Sequence, residues 1–203
     1  MWSACTDVGA TLVEVNPLVL TTDGRLVAAD AKVTIDDRVA DRVPEYQGER
    51  SGLTSFEREA ASRSAVGVDV GGDIAIITTG AGILMATADS VAARGGRLGP
   101  LLDLGGFPRT REQEAELFGL VLMAEPRVVF FNFFTQVMRC DQFAEAAVAA
   151  FGGRTGGPRV VARLKGYTAV EGRAILAAAG MHASESYDEA CDLAVSAALA
   201  GVR

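Results

Sequence analysis

Val128–Asp141 reads VVFFNFFTQVMRCD, and this stretch decides the fold of the chain. Its first part is an unbroken apolar run, which is typical of a strand covered on both faces. The run ends in a short polar turn, and a helical pattern follows at Arg139–Ala150. Backbone N–H groups at such a junction can hold an anion. The segment therefore predicts a layered α/β fold with a ligand site at the end of a buried strand.

The same strand–helix pattern extends over the chain from about Val66 onward. Right-handed crossovers between such units give a doubly wound parallel sheet of about five strands. Ligands of these sheets bind at the carboxyl ends of the strands. The predicted strands are Ile74–Thr78, Leu101–Leu104, Val128–Asn132, Val160–Leu164 and Met181–Ala183, and the helices that follow them end near Arg94, Met123, Ala150, Ala179 and Leu199.

The amino-terminal part of the chain has a different pattern. Thr11–Lys32 alternates as strands do, with a turn at Thr22–Gly24, and predicts a β-hairpin. The polar stretch Arg38–Ser55 indicates a connector, with Ser55 as the cap of a short helix at Phe56–Arg63. We therefore divide the chain into residues 1–40, 41–65 and 66–203.

The composition excludes several classes of protein. Of the 203 residues, 49% are apolar, and a net charge of −7 without a basic cluster argues against a nucleic-acid partner. No apolar run approaches the roughly 20 residues of a membrane span, and the first residues lack the pattern of a secretory signal. Cys5, Cys140 and Cys191 fit no disulfide or zinc pattern, which favours a reducing cytoplasm. A catalytic Cys–His pair with the single histidine, His182, is less favoured than buried cysteines.

Three polar residues of the hairpin are candidate metal ligands. Glu14 and Asn16 are two positions apart and so share one face of a strand, and Asp30 lies on the returning strand. Carboxylate and amide oxygens suit Mg²⁺, which takes its other ligands from phosphates and water. Polar residues on an exposed strand face are ordinary, however, and the pattern by itself favours that simpler interpretation.

Two turns are candidate anion sites. Free N–H groups at Thr135–Met138 would receive a phosphate or carboxylate, or Thr135 would only cap the helix, and the spacing favours neither interpretation. The turn at 80–82, with Asp103 ending the next strand, is similar to a dinucleotide-binding fingerprint. Met85 replaces the third glycine of that fingerprint, so a tight strand-to-helix turn is favoured over a dinucleotide-dependent oxidoreductase.

Together, these segments resemble the carboxyl-terminal half of the β-subunit of ADP- or GDP-forming succinate–CoA ligase. The resemblance covers nearly all of the chain, with the motifs in the family's order and at similar spacing. It implies that residues 1–40 are the carboxyl-terminal piece of an ATP-grasp domain and residues 66–203 a flavodoxin-like CoA-ligase domain. The motifs are LVEVNPLVL, LVAADAK, GDIAIITTGAGILMATAD, LLDLGG and NFFTQVMRCD, at Leu12–Leu20, Leu26–Lys32, Gly72–Asp89, Leu101–Gly106 and Asn132–Asp141.

The resemblance also implies a reaction and a partner. Such ligases join a small carboxylate to CoA with ATP or GTP, through a phosphohistidine on an α-like, CoA-binding subunit. Asn16 and Asp30 match positions that ligate Mg²⁺, and Glu14 matches a catalytic glutamate that faces the phosphohistidine. Helix N-termini from both subunits hold the phosphohistidine at the second site. The substrate-contacting positions of that site match Thr79, Gln136, Val137 and Met138.

The chain departs from the family pattern in two places and in its extent. Thr135 and Gln136 stand where the family turn has two glycines, and Thr79 stands where the family has asparagine. The lysines and loops that grip the nucleotide lie upstream of the matched region, so we expect the chain alone to bind ATP poorly. The leading hypothesis is a ligase part that acts with an α-like partner. The alternative is a degenerate relative that serves as an interaction module.

Overall fold

The structure is a computed structural model that describes residues 2–35, 53–106, 108–153 and 156–200. It divides into two compact units, residues 1–52 and residues 53–203. Residues 36–52, which include the first part of the connector predicted at 41–65, lie outside the described residues.

Within residues 2–35 the first unit has one short helix and two antiparallel ribbons. The elements are α1 (Trp2–Val8), β1 (Ala10–Val15), β2 (Leu18–Leu20), β3 (Leu26–Ala28) and β4 (Ala31–Ile35). Strand β1 pairs with β4, with Glu14 opposite Lys32, and β2 pairs with β3 between them. The turn of the inner ribbon contains Gly24 at φ +83°, a conformation that glycine adopts without strain. The predicted hairpin is therefore an outer and an inner ribbon, and the helix before it was not predicted.

The second unit is a six-stranded sheet with helices on both faces. Its elements are α2 (Ser55–Ser62), β5 (Val66–Asp69), β6 (Ile74–Thr78), α3 (Ala81–Ala93), β7 (Leu98–Asp103), α4 (Arg111–Leu120) with a 3₁₀ turn at Val121–Ala124, β8 (Val128–Thr135), α5 (Cys140–Phe151), β9 (Arg159–Gly166), α6 (Ala169–Ala178), β10 (His182–Ser184) and α7 (Tyr187–Leu199). No helix in the described parts of the chain is long and apolar enough to cross a membrane.

The sheet confirms the predicted α/β fold class. Its strand order is β10-β9-β8-β6-β7-β5, and all neighbours run parallel except β5, which pairs antiparallel with β7. Numbered along the chain, the five parallel strands have the order 2-1-3-4-5 of a flavodoxin-like sheet, and that order reverses between β6 and β8. The sequence analysis missed β5, because its Val-Gly-Val-Asp pattern is short and exposes both valines.

Two separate cores cover the two faces of this sheet. Helices α3 and α7 pack on one face, and α4, α5 and α6 pack on the other. The second face carries an aromatic cluster in which the rings of Phe118 and Phe131 lie 5.0 Å apart, and those of Phe133 and Phe143 lie 4.2 Å apart. Aromatic pairs of this kind stabilise a fold by more than the burial of their apolar area alone.

Local signals explain where the helices begin. Thr54, not the predicted Ser55, caps α2, because its hydroxyl accepts from the amide of Glu57 while the Glu57 carboxylate accepts from the Thr54 amide. Thr110 and Gln113 form the same capping box at α4. A glycine also determines how closely α2 packs on the sheet. At Gly67 an added Cβ would lie 2.9 Å from the ring of Phe56, so only glycine lets β5 lie this close to α2.

Candidate functional site

The carboxyl edge of the sheet carries the predicted substrate residues at the point where the strand order reverses. Thr78 of β6 is paired with Asn132 of the adjacent strand β8. Thr79 directly follows β6, and Gln136–Met138 directly follow β8. In open α/β sheets the crevice at this switch point is the usual place for a ligand. The fold therefore brings both predicted substrate segments to one edge.

The N-terminus of α3 faces this edge without a cap. The first intrahelical bond runs from the Leu84 amide to the Gly80 carbonyl at 3.1 Å, so the amides of residues 81–83 precede it. No side chain of the described residues caps the helix, and its first turn contains no acidic residue. Open space lies beside Gly80 and Gly82, where an added Cβ would have no neighbour within 4 Å. An anion here would meet free N–H groups and the positive end of the helix dipole.

Asp103 holds the turn in front of α3. Its Oδ1 accepts the amide of Gly80 at 2.6 Å and the amide of Gly105 at 2.8 Å, and the residue is 8% exposed. In a dinucleotide site the corresponding carboxylate binds a ribose hydroxyl. Here that carboxylate is bonded to two backbone amides inside the protein, which supports the tight-turn interpretation of the sequence.

The β8–α5 turn is closed by Thr135. The hydroxyl of Thr135 accepts the Met138 amide at 2.9 Å and donates to the Met138 carbonyl at 3.0 Å. Val137 is 89% exposed, and Gln136 is also exposed. No described protein group accepts the amides of Gln136 or Val137. Of the three predicted substrate residues in this turn, these two therefore present free N–H groups to solvent.

Protein acceptors already satisfy the first amides of α5. The Cys140 amide donates to the Tyr167 carbonyl at 3.0 Å, and the Asp141 amide donates to the Thr168 hydroxyl at 3.3 Å. Arg139 is the residue before the helix; it binds the carboxylate of Asp141, and its guanidinium lies 5.4 Å from the Tyr167 ring centroid. Hydrogen bonding from Arg139 lowers the pKa of Asp141. The helix therefore begins at Cys140 without a cap from Thr135.

A polar network that the sequence analysis missed lies beneath the edge. The amide group of Asn132, 3% exposed, donates to the Thr87 hydroxyl of α3 at 2.8 Å. Its oxygen accepts from Arg163 of β9 at 3.4 Å, and the Arg163 guanidinium lies 5.4 Å from the Phe134 ring centroid. The network links α3, β8 and β9. An asparagine inside the run VVFFNFF was the available signal, since a buried amide requires partners.

In the first unit, Glu14 and Asn16 lie on one face, as predicted from their spacing. The Asn16 side-chain amide donates to Glu14 Oε1 at 3.2 Å. The Asn16 backbone amide donates to the Asp30 carbonyl at 3.3 Å, which places Asp30 opposite Asn16 across the outer ribbon. One carboxylate oxygen of Asp30 accepts the Ala31 amide at 2.9 Å. The second carboxylate oxygen of Asp30 and the side-chain oxygen of Asn16 are hard oxygen ligands of the kind that Mg²⁺ binds. This pair of ligands therefore fits Mg²⁺.

Two other titratable groups of the second unit are poor candidates for chemistry at the edge. Burial raises the pKa of the Cys140 thiol to about 11, which leaves the group protonated and weakly nucleophilic near neutral pH. Burial also raises the pKa of Glu114 to about 7, and Arg109 opposes this shift. Glu114 is 6% exposed, and its Oε2 has no hydrogen-bond partner among the described residues.

Comparison with known proteins identifies close relatives of this chain. The family model described as CoA-ligase matches residues 77–197. The β-subunit of ADP-forming succinate–CoA ligase from Desulfurococcus amylolyticus is 39% identical over 94% of this chain and 50% of its own length. The same subunit from Pyrobaculum calidifontis is 40% identical over 98% of this chain and 53% of its own. The resemblance predicted from the sequence is confirmed, and the chain spans about half the length of these relatives.

A solved structure shares the fold. ATP citrate lyase from Methanosaeta concilii, solved with (3S)-citryl-CoA, superposes with a TM-score of 0.73 at 16% identity. The match covers 92% of this chain and 55% of that one. The fold of this chain therefore recurs in a much more distant sequence.

Proposed function

Because this chain belongs to the CoA-ligase family, we propose that it is the β-subunit-like part of a carboxylate–CoA ligase similar to succinate–CoA ligase. The reaction joins a small carboxylate to CoA with ATP or GTP, and it runs through a phosphohistidine on an α-like, CoA-binding partner. The metal-dependent phosphoryl transfer uses the first unit, and the acyl transfer uses the second. We place this ligase in the cytoplasm.

The observation that carries the acyl-transfer role is the uncapped N-terminus of α3 at the switch point. The amides of residues 81–83 donate to a carboxylate or acyl phosphate, and the helix dipole stabilises its charge. Asp103 fixes the preceding turn through the Gly80 amide, so these donors are oriented before the substrate arrives. Thr79 adjoins this end, and the free amides of Gln136 and Val137 lie after the neighbouring strand.

The phosphoryl-transfer role rests on the three polar residues of the outer ribbon. Asn16 and Asp30 would hold Mg²⁺, which in this position neutralises nucleotide phosphates. Glu14 carries an exposed carboxylate that is oriented by Asn16, and it accepts a hydrogen bond from the partner's histidine, holding that imidazole with one nitrogen directed at the phosphate. The chain spans about half the length of these relatives, and we place the binding of the nucleotide base in the other half.

A second candidate function is an interaction module without catalysis. Thr79 lacks the amide of the family's asparagine, and Gln136 adds a side chain where the family has glycine. Apolar groups are also exposed at this edge, with Phe134 at 47%, Val137 at 89% and Tyr167 at 52%. Such a surface would retain a partner even if acyl transfer were lost.

Reconstitution of the assembled enzyme tests the proposal. The chain is co-produced with an α-like subunit of the same cell and with the nucleotide-binding half of a relative. The complex is then incubated with γ-labelled ATP or GTP and Mg²⁺. A ligase yields acid-labile, base-stable label on the α-like subunit, and CoA plus a carboxylate such as succinate removes that label. A stable complex that never becomes labelled would contradict the ligase role and support the interaction module.

A further inference from the structure

Thr135 stands where the family turn has glycine, yet its side chain does not project into the crevice. The residue is 5% exposed, and its hydroxyl is engaged with both the amide and the carbonyl of Met138. These two bonds close a four-residue loop, 135–138, through the side chain of its first residue. A threonine that bonds in this way restrains the loop as a short turn does.

The opposite side of this loop is held by β9. The Thr135 carbonyl accepts the Tyr167 amide at 3.0 Å. Gly166 has φ +121°, and a Cβ there would overlap the Thr135 carbonyl oxygen. Glycine at this position lets the two strands end in close contact. The strand side is therefore fixed by the backbone, and the loop side is fixed by the Thr135 hydroxyl.

The bonding pattern determines which amides are free. Thr135 takes the Met138 amide, while Gln136 and Val137 remain in the exposed part of the loop. Two consecutive N–H groups held in one conformation can bind an anion with little loss of conformational entropy. Without the hydroxyl, the loop would have to be ordered by the substrate itself, and binding would be weaker.

We propose that Thr135 is a positioning residue for the substrate-binding loop, performing through its hydroxyl a role that the family's glycines do not have. The proposal rests on the proposed function, since it takes the Gln136 and Val137 amides as substrate donors. It also implies that the bulk of Thr135 does not block the site. Replacing it by glycine would loosen the loop rather than open the crevice.

The test compares Thr135→Val, which removes the hydroxyl at nearly constant volume, with Thr135→Ser, which keeps it. Hydrogen exchange of the Met138 amide is measured in the full chain. We expect exchange to be about tenfold faster in the valine variant, in line with the loss of one net hydrogen bond, and near the original rate in the serine variant. Equal exchange in all three proteins would overturn the proposal. Thr110→Val, which removes the cap hydroxyl of α4, is the matched control for general destabilisation.

In the assembled ligase, we expect the KM for the carboxylate to be about tenfold higher in the Thr135→Val variant than in the original protein. The Thr135→Ser and Thr110→Val variants should keep the original KM. Phosphorylation of the partner by nucleotide should not change. An unchanged KM in the valine variant would overturn the positioning role. If the complex has no ligase activity, the proposed function fails by itself, and the exchange of the Met138 amide still decides whether Thr135 holds the loop.

Discussion

The two units contain similar apolar strand sequences but bury them very differently. In residues 2–35 no described residue is buried, and Leu20 and Leu26 of the inner ribbon are each 68% exposed. In the second unit every residue of Ile74–Thr78 is buried. The difference lies in the layers around the strands, since β6 lies between helices on both faces. Within residues 2–35 the one described helix, α1, is short and leaves no strand residue buried.

This difference shows what a strand pattern can predict. Alternation and apolar runs predict pairing, and both units form the pairing. They do not tell which residues cover the apolar face. A two-stranded ribbon is marginally stable by itself. The candidate metal residues Glu14, Asn16 and Asp30 therefore lie on an element that we expect to gain its stability in the assembled enzyme.

The largest expected effect separates the two units. Residues 53–203 produced alone should unfold in one cooperative thermal transition, because their core is complete. Residues 1–52 alone should show no cooperative transition, because no described side chain there is buried. Circular dichroism and scanning calorimetry measure both fragments. A sharp transition in the short fragment would refute the contrast between the units.

A pair of core truncations sharpens the same comparison. Phe118→Ala should lower the free energy of unfolding by about 3–5 kcal/mol, because Phe118 is fully buried against Phe131 and Phe143. Leu20→Ala in the inner ribbon should change it by less than about 0.5 kcal/mol, since that side chain is mostly exposed. Urea titration of the full chain gives both values. Similar losses in the two variants would show that Leu20 is packed in solution.

Asp103→Ala tests whether the carboxylate of Asp103 holds the turn that precedes α3. The change leaves the amides of Gly80 and Gly105 without their acceptor and should destabilise the second unit by about 2–3 kcal/mol. Asp69→Ala removes an acceptor of one amide, that of Gly71, and should cost about 1 kcal/mol or less. Urea titration of both variants checks the order. An equal effect of the two changes would show that Asp103 does not hold the turn.

Glu114→Gln should show a pH-dependent gain in stability. Burial raises the pKa of the folded-state carboxyl from 4.5 to about 7, so the folded protein binds the proton more tightly than the unfolded chain. The contribution of Glu114 to stability is therefore complete below about pH 4.5 and is lost as the pH rises towards 7. At pH 8 the glutamine variant should be more stable by about 2 kcal/mol, and at pH 4 nearly equal.

The control for this variant is Glu116→Gln on the exposed face of the same helix. It should be neutral at both pH values. Denaturant titrations at pH 4 and pH 8 supply the comparison. A constant difference between the Glu114 variant and the original protein would contradict the assigned cause of the pKa shift.

Much of the fold followed from local sequence patterns. The five parallel strands and a last helix ending near Leu199 were predicted because continuous β-branched or aromatic runs alternate with helical periods. Strand ends were less certain: β7 begins at Leu98, before Gly99 and Pro100, which locally argue against a strand. Pro100 fits because the pairing of β7 with β6 is irregular there: Ile74 pairs with Leu98 but Ile76 pairs with Leu101, and proline is tolerated at such a bulge.

The candidate site was less predictable, because its details depend on contacts between distant segments. Spacing placed Glu14 and Asn16 on one face, and the resemblance named Thr79 and Gln136. The sequence did not reveal that the Asp103 carboxylate accepts the amides of Gly80, 23 residues away, and Gly105. Nor did it reveal the bond between Asn132 and Thr87. The Thr135 hydroxyl bonds Met138 within one short turn, but the sequence pattern left open whether Thr135 capped the helix or left its neighbouring amides free.

The most direct test of this account measures the two half-reactions of the assembled ligase separately. Asp30→Ala should abolish Mg²⁺-nucleotide-dependent labelling of the α-like partner, while a partner phosphorylated beforehand still discharges its label to CoA and carboxylate. Asp23→Ala, at an exposed aspartate of the inner-ribbon turn, should leave both half-reactions unchanged. If the partner is labelled as fast with the Asp30→Ala variant as with the original protein, the proposal that phosphoryl transfer uses the first unit is contradicted. The same holds if the variant loses both half-reactions equally.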